Sequence, residues 1–234
     1  MRTPSFMAAS SALLIVGMVS FQTTSADDPP PVTKKDLKTS TINLKQIGLA
    51  FHSFHDVNGH LPVDVVDKDG KPLLSWRVEI LPYLEEAELY KQFKRDEPWD
   101  SENNKKLIEK MPKIYAPVRV KAKAGETFYQ VFTGEEALFG PKKKPTLVQI
   151  TDGTSNTGMV FEAGEPVIWS KPADLPFDKN KPLPKLGGMF DGECLVVMGD
   201  GSVKHLRKKP DEQQLKYLIM PADGNVIDFD KLDY

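Results

Sequence analysis

The stretch from Asn43 to Pro62, NLKQIGLAFHSFHDVNGHLP, reads as the second half of a long amphipathic helix that ends on a hard stop. Asn58-Gly59 and Pro62 supply the stop, with Gly59 free to take a left-handed C-cap conformation. Upstream, apolar residues fall at Leu37, Leu44, Ile47, Phe51 and Phe54, with Thr41 filling one gap. That three-to-four spacing draws a single stripe along a helix. Thr33 and Asp36 have the spacing of a capping box ahead of Leu37. A helix from Lys34 to Asn58 would be about 37 Å long at about 1.5 Å per residue. Gly48 sits inside it at a cost of ~1 kcal/mol relative to Ala, which predicts that a strand or another backbone approaches there.

The chain has 234 residues, 40% of them hydrophobic, enough for a real core. Its N-terminus reads as an export signal. Arg2 supplies the positive start, an apolar run spans Met7 to Phe21, and Thr24-Ser25-Ala26 offers a small-x-small cleavage site. The run falls short of the ~20 apolar residues of a comfortable membrane span. A retained N-terminal anchor is the alternative. Residues 27–32 are acidic and proline-rich and read as a short disordered linker. Residues 33–234 then form one domain, secreted or periplasmic, with no membrane association after signal cleavage.

The formal net charge is −2, so nothing in the charge balance favours nucleic acid or an anionic membrane. The basic clusters Lys142-Lys143-Lys144 and Lys204 to Lys209 sit beside turn signals and read as solvated faces. The single cysteine, Cys194, has no partner for an internal disulfide.

Beyond the long helix, Asp67-Lys68-Asp69-Gly70 reads as a turn. Trp76 to Phe93 has helical spacing that Pro82 should start or kink. Ser101 can cap a short helix reaching about Lys110, and Pro112 and Pro117 bracket an extended piece. Strand signals follow at Thr127–Phe132, Thr146–Thr151 and Met159–Glu162. Cys194 to Met198 is a continuous apolar run, as in a strand buried on both faces. Gly199 to Ser202 supplies a hairpin turn into Val203–Leu206, and Asp211 to Ile219 reads as a last helix. The sum is an α+β domain: a long N-terminal helix, a helical middle and an antiparallel sheet.

Several of these segments, in this order, resemble the hallmarks of a prepilin-like family expanded in planctomycete bacteria, which carries domain of unknown function 1559. They are NLKQIGLAFHSFHD with Gly59 to Pro62, Ser75-Trp76-Arg77-Val78, Leu81 to Glu85, Asp96 to Ser101, Ile150 to Thr157, and Gly199 to Val203. The resemblance implies a pilin-like fold, the long helix packed on an antiparallel β-sheet with a helical insertion, and no established enzymatic activity. Family members begin with a Gly-Phe-Thr-Leu-x-Glu leader; this chain has the signal-like segment instead. Where the family often has two cysteines, Ser40 and Ala116 stand here, and Phe190 occupies a frequent His position. Cys194 falls at a small core position and is expected to be a buried thiol.

Three of the four histidines lie together in sequence. His52 and His55 are spaced i, i+3, with Asp56 and His60 close by. Neutral imidazoles and a carboxylate suit zinc or copper, so these four residues are the candidate site for a divalent metal cofactor. The competing reading has the histidines fixing the helix against sheet or loops. Trp99 and Trp169 sit in polar, Pro-containing stretches and are the candidate ligand-binding rings of a solute- or glycan-binding module. Asp67, Asp69 and Gly70 fail the EF-hand pattern, because Val65 and Trp76 occupy its ends. Asp152 to Asn156 is richer in oxygen ligands, with ordinary turn chemistry as the favoured account. No G-x-S-x-G, H-E-x-x-H or phosphate loop is present, so no catalytic residue is assigned. The expected role is that of an exported non-catalytic protein whose partners are envelope proteins or surface glycans.

Overall fold

A computed structural model describes residues 30–141 and 143–232. The signal-like segment Met1–Ala26 and the first part of the linker lie outside the described residues. The end of the linker does not behave as a free tether: Val32 packs on the core, and Arg119 Nε donates to the carbonyl of Pro30.

Helix α1 spans Lys34–Asn58. Its start is a reciprocal capping box. Asp36 N donates to Thr33 Oγ1 at 3.2 Å, and Thr33 N donates to Asp36 Oδ2 at 3.0 Å. Its end is Gly59 at φ 72°, whose N–H donates to the His55 carbonyl. Ser40, Leu44, Ile47, Gly48, Ala50, Phe51 and Phe54 form the buried face. Strands β1 (Val65–Val66) and β2 (Pro72–Leu74) make a small antiparallel hairpin. Asp67 closes its turn by accepting the N–H groups of Asp69 and Lys71, both at 2.9 Å.

The helical middle is broken into short pieces. Helix α2 is Trp76–Glu79, a 3₁₀ turn covers Leu81–Tyr83, and α3 is Ala87–Tyr90. Pro82 starts the 3₁₀ turn, and Glu85 takes a positive φ of 63°, so the helical spacing cannot run through. Asn104 N donates to Ser101 Oγ at the head of a second 3₁₀ stretch, Asn104–Lys110. A third, Lys113–Tyr115, occupies the piece between Pro112 and Pro117 that the sequence marks as extended.

Four strands make the main sheet, all antiparallel, in the order β3-β5-β7-β8. Strand β3 is Glu126–Gln130 and is followed by β4, Phe132–Thr133. Strand β5 is Gly158–Ile168, longer than the expected Met159–Glu162. Strand β6, Leu175–Pro176, pairs with β4 in parallel. Strand β7 is Cys194–Met198, β8 is Val203–Leu206, and α4 is Glu212–Ile219 with Asp211 as its N-cap. The β-rich run Thr146–Thr151 is not a strand. Thr146 and Gln149 form a capping box around a 3₁₀ turn, and Val148 is 87% exposed, with no sheet surface to cover it.

Strand β7 is buried on both faces because helices lie on either side of it. Leu195 and Val197 join α1 and the helical middle, whereas Cys194, Val196 and Met198 join α4 and the C-terminal segment. Helix α1 runs so close to this strand that a Cβ on Gly48 would lie 2.9 Å from Val197 Cγ1 and 3.5 Å from the Gly201 backbone. Gly48→Leu should therefore lower stability by roughly 1–3 kcal/mol through overpacking. Urea unfolding measures this, and an unchanged midpoint would show that the helix can stand off from β7.

Candidate functional site

The residues singled out in the sequence do not meet in one place. His52 packs beside Gly201, and its buried Nε2 has no hydrogen-bond partner among the described residues. His55 Nε2 accepts the Leu147 N–H at 3.4 Å, and His55 Nδ1 is 3.9 Å from Asp56 Oδ1. His60 Nδ1 lies 2.8 Å from the Leu61 carbonyl, its ring edge-on to Phe54. Among the described residues no three His, Cys, Asp or Glu side chains are grouped to hold a metal. The histidines instead contact three different segments.

Trp169 is not the exposed ring its polar neighbours suggest. It is 0% exposed, stacked 5.9 Å from Tyr115 and edge-on to Phe93 at 5.5 Å, and its Nε1 donates to the Ile108 carbonyl. Trp99 is half-buried; its backbone N–H donates to Leu73 O, and Lys171 Nζ lies 5.3 Å from its ring. A buried Trp169 has no ring face to offer a sugar. Asp152 is likewise occupied, its two oxygens accepting the N–H groups of Asp223 and Gly224 at 2.7 and 3.0 Å. This carboxylate ties down the C-terminal loop.

The chemistry that the sequence reading missed is built on Ser75-Trp76-Arg77. Ser75 caps α2, accepting Arg77 N at 3.3 Å and Arg77 Nη1 at 2.6 Å. Arg77 is fully buried. Its Nε donates to the Tyr129 carbonyl at 2.8 Å, and its Nη2 donates to Asp174 Oδ1 at 2.7 Å. The same oxygen accepts Val131 N at 2.9 Å and Trp76 Nε1 at 3.2 Å. Asp174 Oδ2 is also buried, and among the described residues no donor reaches it. Asp64 stands nearby, its Oδ1 accepting Trp76 N at 2.9 Å.

Two carboxylates thus face one guanidinium. Burial first, then repulsion from Asp174, pushes the Asp64 carboxyl up to about 7, against the Trp76 N–H and Arg77. Burial also pushes Asp174 up, against Arg77 and the N–H groups of Val131 and Trp76. Three donors converge on Asp174, which favours its charged form over that of Asp64. Both carboxylates line a cavity of ≈ 300 Å³ beside the β1–β2 hairpin, whose walls include Val63, Pro72, Val131 and Phe139. The sequence held one signal for this site: an arginine between Trp76 and Val78 in an apolar pattern has to find a buried anion.

A second buried acid lies between α1 and the sheet. Glu162 is 0% exposed. Ser40 Oγ bonds to Glu162 Oε1 and lies 2.8 Å from Tyr129 Oη, and Leu195 N donates to Glu162 Oε2 at 2.8 Å. Among the described residues it has no ion-pair partner, and burial pushes its carboxyl up to about 8. The nearby Cys194 thiol is pushed well up by the same burial. Ser40, at a position where the resemblance places a cysteine, serves here as a hydrogen-bond bridge between helix and sheet.

The chain is a mixed α/β protein with an antiparallel sheet and a carboxylate-lined cavity on its helical side. Residues 39–137 match the family described as "Protein of unknown function (DUF1559)". No curated protein and no solved structure matches the chain. The matched stretch contains Asp64, Trp76 and Arg77; Asp174 and Glu162 come from beyond it.

Replacing Arg77 by Met would leave Asp174 buried without its counter-charge. It should cost about 3–5 kcal/mol, and a denaturation midpoint close to that of the unmodified protein would refute a structural ion pair. Glu162 gives a pH signature. Its carboxyl is raised in the folded state, so its contribution is fully present below about pH 4.5, its ordinary value, and is lost as pH rises through about 8. Glu162→Gln can keep both hydrogen bonds without a charge. Between about pH 5 and pH 9 the unmodified protein should lose more stability than this variant, and parallel curves in chemical denaturation would count against a buried neutral acid.

Proposed function

We propose that this chain is an exported, non-catalytic, pilin-like protein of the cell envelope that acts through protein contacts. The observation that carries the reading is the packing of α1, one 25-residue helix lying on β7 and β8 of an antiparallel sheet. A long helix packed against antiparallel strands supports the pilin-like reading. Among the described residues no helix is long and apolar enough to cross a membrane, and the signal-like Met1–Ala26 precedes α1 with only a short linker between. The outer side of α1 exposes Ile42, Leu49 and Val57 at 47%, 67% and 73%. Apolar residues displayed on a helix whose other face is already buried suit contact with another protein.

A solute-binding module is the second reading, favoured by the cavity at Asp64 and Asp174. Glycan binding through Trp99 and Trp169 is not carried forward, because Trp169 is buried.

Cell fractionation with intact-mass measurement tests the first reading. A mature chain beginning at Asp27, found outside the cytoplasm and cross-linking into larger species that Leu49→Glu diminishes, is the expected result. An unprocessed chain in the cytoplasm would overturn it.

A further inference from the structure

We propose that the cavity beside the β1–β2 hairpin is a binding site for a small primary ammonium with an apolar body, held at its charged end by Asp64 and Asp174.

The cavity supplies an anionic end and apolar walls. Asp174 is 3% exposed at its side chain, and its two oxygens are treated very differently. Oδ1 takes hydrogen bonds from Arg77, Trp76 and Val131, while Oδ2 takes none among the described residues. A buried acceptor left unpaired is costly, and more so when it carries charge. Asp64 does not supply one: its Oδ1 accepts the Trp76 N–H, and among the described residues Asp174 Oδ2 has no partner. The Arg77 guanidinium is held by Ser75, Tyr129 and Asp174 and offers its one positive charge to two carboxylates. A ligand that brings a second positive charge and N–H donors completes the set.

The other requirements narrow the class. Calcium takes six or more oxygens and magnesium an octahedron, whereas here two carboxylates stand among apolar side chains and, among the described residues, no third acidic group joins them. Val63, Pro72, Val131 and Phe139 suit a hydrocarbon or aromatic body, and ≈ 300 Å³ is the size of a small-molecule site. Lys143 and Lys144 also line the cavity. Lys143 Nζ is turned to the carbonyls of Glu135 and Ala137, at 2.6 and 2.7 Å. Their positive charge works against a polyamine, leaving a monoammonium as the fitting ligand.

Binding should depend on pH in a defined direction. The charged groups facing Asp64 are Asp174, Arg77, Lys143 and Lys144. Asp64, raised to about 7, holds a proton on the acid side and must release it to pair with the ammonium. Affinity should therefore rise as the solution passes from below to above that value while the ligand amine stays protonated.

Calorimetric titration of the full chain with benzylamine and with its neutral analogue benzyl alcohol tests the site. Benzylamine should bind at one site about tenfold or more tighter than the alcohol at about pH 8, and about tenfold weaker at about pH 5.5. Asp64→Asn keeps an acceptor for Trp76 N–H and should erase both differences. If that variant does not fold, the comparison of the two ligands and the two pH values on the unmodified protein still decides. Equal binding of amine and alcohol, no saturable binding of either, or an amine preference that survives in folded Asp64→Asn would overturn the proposal. The protein-contact reading is tested by localisation and cross-linking, so the two can fail separately.

Discussion

The buried pair of Arg77 and Asp174 is the constraint on which the rest of the structure depends. A guanidinium at 0% exposure must be fully paired or it unfolds its surroundings. Its donors reach β3 through Tyr129, the N-cap of α2 through Ser75, and the segment before β6 through Asp174. Tyr115 Oη donates to the Arg77 carbonyl and brings in the third 3₁₀ turn. Trp76, next in the chain, meets Phe51 of α1 edge-on at 5.0 Å. Helix, helical middle and sheet therefore converge on two adjacent residues. The pair adds little net stability over an apolar substitute; it determines which segments must be together before any of them is comfortable.

The core around this pair holds the carboxyl groups of Glu162, Asp64 and Asp174 against the buried guanidinium of Arg77. Glu162 sits between α1 and β7 as a hydrogen-bonding neutral acid, and Asp64 shares a single guanidinium with Asp174. Burial dominates the upward push on each. The two sites differ in what surrounds them. Glu162 is closed in by Ser40, Leu195 and the strands, so its proton serves packing. Asp64 and Asp174 open on a cavity, so their charge is available to something that enters it.

The features legible in the sequence are those whose causes are local. Thr33, Asp36 and Gly59 mark both ends of α1 through their own backbone geometry, and the stripe from Leu44 to Phe54 needs only the helical period. Gly48 announced the approach of β7, and the run Cys194–Met198 announced a strand covered on both faces. What escaped depends on distant partners. Thr146–Thr151 has strand-forming residues but no neighbouring strand, so Thr146 and Gln149 cap a turn instead. Trp169 lies in a polar stretch and is nonetheless enclosed by Phe93 and Tyr115. Asp174 lies 97 positions from Arg77, and no spacing rule links them.

The family stretch ends at Ala137, between Arg77 and Asp174, between Trp169 and its partners Phe93 and Tyr115, and between α1 and β7. Cut there, Arg77 would lose its anion Asp174, and the apolar face of α1 would lose the β7 strand it covers. The recognisable part of the chain is thus not a portable module. Residues 39–137 and the strands that follow them are two halves of one cooperative unit, and neither is a meaningful object to express, graft or truncate without the other.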